Sequence, residues 1–229
     1  MKRTVAALAL LPLTAGALWA LLGPVGALLR SAETTWPFLL GAAAYLPFGL
    51  ASRGSGRAYI LAHELSHAAA AALCGIKVGK ISVGRRAGHV TLAGSNAFVD
   101  LAPYFVPLYA LSAALAYGLA LYFFDLSPWR AWFTALTGFL LSFHLVNTAA
   151  VMAGPVQSDF RKAGGVIFSF SMALLANAFF LALCIKALYP EAFSLKAYFS
   201  SALANAAGIT AALRRLLEAA VNTAKIYAG

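Results

Sequence analysis

Residues 58–75 read AYILAHELSHAAAAALCG, and the fold turns on how that stretch is explained. No glycine or proline interrupts it before Gly75, so it reads as one helix. Yet His63, Glu64 and His67 sit among apolar and small residues. Each would cost about 2.5–3.5 kcal/mol if charged and unpaired at the centre of a bilayer. On a helix, positions four apart share a face, so both imidazoles can grip one metal ion. Glu64, beside the first of them, can then take a proton from a water at that metal. Zinc suits the donors: two neutral imidazoles and a carboxylate, with a fourth position left for water, form a hydrolytic arrangement. The bound ion lowers the pKa of water toward ~7. The competing explanation is structural, with the three polar groups bonded across helices.

The rest of the chain says what surrounds this helix. Of 229 residues, 62% are hydrophobic and 10% charged, and the mean hydropathy is +0.82. Soluble domains carry roughly 25% charged residues, so lipid is the expected solvent. At ~20 residues per crossing, the length suits about six spans. The formal charge of +10 does not indicate nucleic acid. The basic residues cluster at the ends of apolar runs, at Lys2-Arg3, Arg53 with Arg57, Lys77 to Arg86, and Arg161-Lys162. That placement anchors a protein to anionic lipid and sets its topology. Two cysteines, Cys74 and Cys184, give no disulfide framework. Cys74 lies roughly 10 Å along the helix from His67, too far to share a metal with it.

Apolar runs cover 4–29, 36–50, 58–74, 98–124, 129–151 and 165–188. The first, behind Met1-Lys2-Arg3, has the makings of a signal peptide, but it stays apolar past the small residues at 15–17 and reads as a retained span. After the third run the texture changes to KVGKISVGRRAGHVTL, which alternates around a Gly-Arg-Arg-Ala-Gly turn. This predicts a β-hairpin with strands near 77–83 and 89–92. From about Lys196 onward Ile209, Leu213, Leu216, Leu217 and Ala220 share one helix face and Arg214, Arg215, Glu218, Asn222 and Lys225 the other. The tail should lie on the membrane surface or on the bundle. The expected architecture is therefore an all-α membrane bundle of about six spans with one hairpin. Residues 1–57 hold the first spans, 58–165 the chemistry, and 166–229 the last span and the tail.

The His-Glu-Leu-Ser-His motif in a membrane helix, followed by CGIKVGKISV and then Gly-His-Val, resembles the site-2 protease family of intramembrane zinc metallopeptidases. The resemblance covers roughly residues 58–165. It implies a hairpin dipping into the membrane edge and a third zinc ligand, an Asp on a later helix, following an Asn-x-x-Pro stretch and preceding a Gly. The matching region runs from Asn147 through Pro155 to Asp159, which makes Asp159 the implied third ligand and Asn147 the implied holder of the substrate backbone. The gap between them is longer than usual by about one helical turn, and Phe160 stands where a Gly is expected. The resemblance also implies membrane-spanning protein substrates, a multi-pass location in a prokaryotic cell membrane, and a hairpin and site facing the cytoplasm. Counting positive charges gives no orientation, because Lys2-Arg3 and the Lys77 to Arg86 cluster fall on opposite sides if the first three runs all span.

Other readings accompany this one. Asn147 reads equally as interhelical glue. His144, one turn earlier, reads as a hydrogen-bonded bundle histidine with metal ligation as the alternative, and His89 as a surface or interfacial residue. The hairpin's strand edge is suited to adding an unwound substrate segment. One rival is a CAAX-type membrane zinc protease, which would need Glu191 or Glu218 as third ligand. The other is a catalytically inactive scaffold binding a partner helix, for which Glu64 would have no purpose.

Overall fold

The computed structural model describes residues 2–52, 56–85 and 87–228. Arg53 and Arg86 of the basic clusters lie outside the described residues, as do the side chains of Lys2 and Arg3. The chain is mostly helical: α1 Lys2–Arg30, α2 Ala32–Ser52, α3 Arg57–Leu73, α4 Ala97–Leu101, α5 Leu108–Ala120, α6 Arg130–Met152, α7 Ser158–Ala163, α8 Val166–Leu188 and α9 Leu195–Ala228. Two strands, β1 Val78–Val83 and β2 Gly88–Leu92, form the hairpin between α3 and α4.

Among the described residues three helices are long and apolar enough to cross a membrane: Val5–Arg30, Ser127–Met152 and Val166–Leu188. A fourth span results if the bent pair Ala97–Tyr104 and Leu108–Ala120 counts as one. That pair is the run at 98–124, and it is not straight. Its two parts meet at 82°, where Pro107 supplies no N–H and Val106 before it is pushed out of helical backbone. Helix α3, at 17 residues, spans about 25 Å, short of a full straight crossing.

Small residues set the packing. Helix α2 runs along α6, with Gly41 against the backbone of Ala135 and Gly138 against that of Phe38; a Cβ at either glycine would strike main chain. Helix α1 lies between α8 and α9. Thr14 donates to the Ser171 carbonyl at 3.1 Å, and Ala17, Ala20 and Leu21 pack with Ala178, Ala182, Ile185, Tyr198 and Ala202. The pairings run in the same sense, so α1 and α8 are parallel, and the start of α1 shares an end of the bundle with α7 and the start of α8. Helix α9 follows α1 through its first turns, with Tyr198 and Ala202 buried, whereas Leu213, Leu216 and Leu217 on its apolar face are exposed.

The hairpin leaves α3 through a tight cap. Gly75 adopts φ +69°, Ile76 N–H donates to the Ala71 carbonyl at 2.8 Å, and Gly75 N–H donates to that of Ala72 at 3.0 Å. This six-to-one and five-to-two pair needs a left-handed residue, which glycine adopts without penalty. Strand β1 pairs antiparallel with β2 in the register Ile81 to Val90, Ser82 to His89 and Val83 to Gly88, with an irregularity between Val78 and Ile81. Ile76, Val78 and Leu92 root the hairpin in a core of Ala70, Ala71, Val99, Leu101, Ala102, Tyr104 and Phe160. Strand β2 is thereby held across the face of α3 that carries Glu64.

Candidate metal centre

One turn of α3 and the first turn of α7 meet under the hairpin. His63 Nε2 lies 3.2 Å from His67 Nε2, and Asp159 Oδ2 lies 3.5 Å from His63 Nε2 and 3.7 Å from His67 Nε2. A tetrahedral zinc with bonds of about 2.0–2.1 Å holds its ligand atoms about 3.3 Å apart. The three donors therefore fit such an ion after shifts of a few tenths of an ångström. Among the described residues this is the group of three or more His, Cys, Asp or Glu side chains able to hold a metal. Cys74 is exposed and outside it, and so are Glu191, which is exposed, and Glu218, paired with Arg214 at 2.7 Å on the exposed part of α9.

Each donor is aimed by a neighbour. His67 Nδ1 contacts the Val99 carbonyl at 2.8 Å. As a carbonyl only accepts, Nδ1 carries the proton and Nε2 is left as the lone-pair donor, the arrangement that metal-binding histidines use. Tyr104, fully buried, donates its hydroxyl to Asp159 Oδ2 at 2.9 Å. Burial opposes ionisation of Asp159, yet, while the imidazoles carry Nε2 protons in place of a metal, hydrogen bonds from His63, His67 and Tyr104 and the charge of His67 hold its carboxyl well below the usual carboxylate range. Phe160, where the resemblance leads one to expect glycine, is buried against Tyr104 with ring centroids 4.6 Å apart. Its bulk is a wedge that seats α7 against the 3₁₀ turn Ala102–Tyr104, with the turn to α8 carried by Gly164 and Gly165 at φ +146° and +99°.

Glu64 is buried and opens into the same polar cavity as the three donors, about 530 Å³ in volume, with β2, Asp100 and Lys162 in its walls. Gly88 of β2 sits directly on it: a Cβ there would lie 2.6 Å from Glu64 Cγ and 2.8 Å from Glu64 Oε1. Among the described residues β2 pairs only with β1, and its backbone forms one wall of the cavity. His89 is exposed at the rim.

The structure thus gathers His63, Glu64, His67 and Asp159, and it leaves Asn147 elsewhere. Asn147 is almost completely buried between α2 and α6, where its amide donates to the Tyr45 hydroxyl and to the Phe143 carbonyl. It does not line the cavity, and its place matches interhelical glue. His144 is likewise outside the metal group; its Nε2 contacts Asn177 Oδ1 at 3.0 Å. Residues that sequence reasoning missed are Tyr104, Gly88 and the Val99 carbonyl. Tyr104 carried a faint signal, as a hydroxyl inside an apolar run. The Val99 contact carried none, because any residue supplies a carbonyl. Comparison with protein-family models, curated proteins and solved structures returns no match.

Proposed function

We propose that this chain is an intramembrane metalloprotease that holds one zinc ion on His63, His67 and Asp159 and hydrolyses peptide bonds of membrane-embedded proteins. The observation that carries the reading is the convergence of these three donors, from two helices far apart in sequence, beside an otherwise unexplained buried carboxylate. Zinc bound there would supply Lewis acidity and make water acidic enough to ionise near neutral pH. The chain's own residues do the rest. Glu64 takes the proton from the attacking water and passes it to the leaving amine, the role of a general base turned acid. Gly88, pressed on Glu64, limits where that carboxylate can point. The unpaired edge of β2 takes the substrate segment as an added strand, which a helical substrate can join only after local unwinding exposes its backbone groups.

In this reading five elements cross the bilayer, α1, α2, the bent α4–α5 unit, α6 and α8, while α3, about 25 Å long, is re-entrant and returns its hairpin to the face where α1 begins. Orientation follows from their packing. The start of α1 shares an end with α7, and α7 meets the hairpin, so the start of α1, Lys77 to Arg85 and Arg161-Lys162 belong to one face, which the positive-inside tendency assigns to the cytoplasm. The resemblance to the site-2 protease family supports a prokaryotic cell membrane as the location. The test is cleavage of a single-span substrate in proteoliposomes by the wild type and by Glu64→Gln. The wild type cuts and the variant does not; equal cutting by both would remove Glu64 from the mechanism.

A further inference from the structure

A hydrogen-bond path connects the carboxylate donor to a region behind the histidine donors. Tyr104 donates its hydroxyl to Asp159. The Tyr104 backbone carbonyl accepts from Asn177 Nδ2 at 2.7 Å, and the same amide nitrogen donates to the Ala173 carbonyl at 2.8 Å. Both hydrogens of that amide are spent, so Asn177 Oδ1 is an acceptor toward His144 Nε2, 3.0 Å away. His144 Nε2 must therefore carry a proton, which leaves His144 Nδ1 as a bare acceptor in a neutral ring.

His63 presents the complementary need. Its Nε2 faces the metal group, so a metal-binding His63 carries its proton on Nδ1. That nitrogen is buried and has no hydrogen-bond partner among the described residues. His63 and His144 line one small void of about 10 Å³, together with Tyr59 and Ser66. A void of that size, about one probe sphere, holds a single water when polar groups surround it.

We propose that His144 is a positioning residue for the metal centre: one buried water accepts from His63 Nδ1–H and donates to His144 Nδ1, closing a circuit from His63 through His144, Asn177 and Tyr104 to Asp159. The circuit rests on the zinc reading above and adds to it a pair of residues, on α6 and α8, that fix the tautomer of one ligand and the position of another. Every link has a donor on one side and an acceptor on the other. The polarity is consistent only with His63 and His144 both neutral.

The test is Zn²⁺ affinity of the full-length protein in detergent, measured by competition with a chromophoric chelator, alongside the thermal melt of the metal-free form. His144→Gln keeps a donor toward Asn177 while its amide oxygen cannot occupy the place of the ring Nδ1 that faces His63; it should bind zinc about tenfold more weakly with an unchanged metal-free melt. Asn177→Leu interrupts both arms and should lose up to about 100-fold. A second readout uses ¹⁵N-histidine labelling: with zinc bound, wild-type His63 should show an Nδ1 proton protected from solvent exchange, and His144→Gln should lose that protection. Zinc affinity within twofold of wild type in both variants, or an unprotected His63 proton in the wild type, overturns the proposal. Should Asn177→Leu fail to fold, His144→Gln and the labelling decide alone. A wild type that binds no zinc overturns the reading beneath it instead.

Discussion

Substituting Gly88 by alanine moves the general base without touching a metal ligand. The added Cβ would stand 2.6 Å from Glu64 Cγ, 2.7 Å from Ile60 Cγ2 and 2.8 Å from Glu64 Oε1. Carbon atoms rest at about 3.5–4.0 Å, so something must retreat by about 1 Å. The Ile60 side chain is in the packed face of α3, whereas Glu64 ends in a cavity of about 530 Å³; the carboxylate is the group free to swing. A misplacement of about 1 Å can cost about 10²-fold in rate, equivalent to roughly 2.7 kcal/mol. The expectation is a fall of about 100-fold in kcat for a single-span substrate in proteoliposomes, with zinc content unchanged. Gly79→Ala is the control on the neighbouring strand. Its Cβ would meet Thr91 first, at 3.2 Å, and the rate should stay within about threefold of wild type, since a few tenths of an ångström of adjustment suffices. A Gly88→Ala enzyme that cuts as fast as wild type while retaining zinc would refute the assigned contact between the hairpin and Glu64.

Two further outcomes follow from single contacts. Tyr104→Phe removes the donor to Asp159 Oδ2 while keeping the ring packed on Phe160, so zinc binding should weaken about tenfold or more; a chelator competition giving the wild-type constant would contradict it. Asn147→Leu breaks the bonds to Tyr45 and the Phe143 carbonyl and should lower stability by about 1–3 kcal/mol in a denaturation series, leaving KM unchanged, whereas a raised KM with unaltered stability would return Asn147 to the substrate.

The parts of this molecule that sequence made legible are those governed by local periodicity. The four-residue spacing of His63 and His67, the alternation through 77–92 and the glycine at 75 each act within one element, and their structures follow the expected bounds closely. Asp159 came from resemblance, and it meets the histidines through contacts that no spacing encodes: Phe160 against Tyr104, and α7 against α4. The bend in the 98–124 run was available in Pro103 and Pro107, but a continuous apolar run outweighed them. Asn147 was the opposite case. Its polar side chain in an apolar helix marks a buried partner without saying which, and the partner is Tyr45 across the α2–α6 contact made close by Gly41 and Gly138. Chemistry carried by backbone, such as the Val99 carbonyl on His67, leaves no mark on residue identity at all.

Metal analysis of the purified protein tests the central claim most directly. Wild type and Glu64→Gln should each carry about one zinc per chain, and His67→Phe, which removes one of three donors, should carry almost none. Zinc bound equally by wild type and His67→Phe, or by neither, would contradict the account.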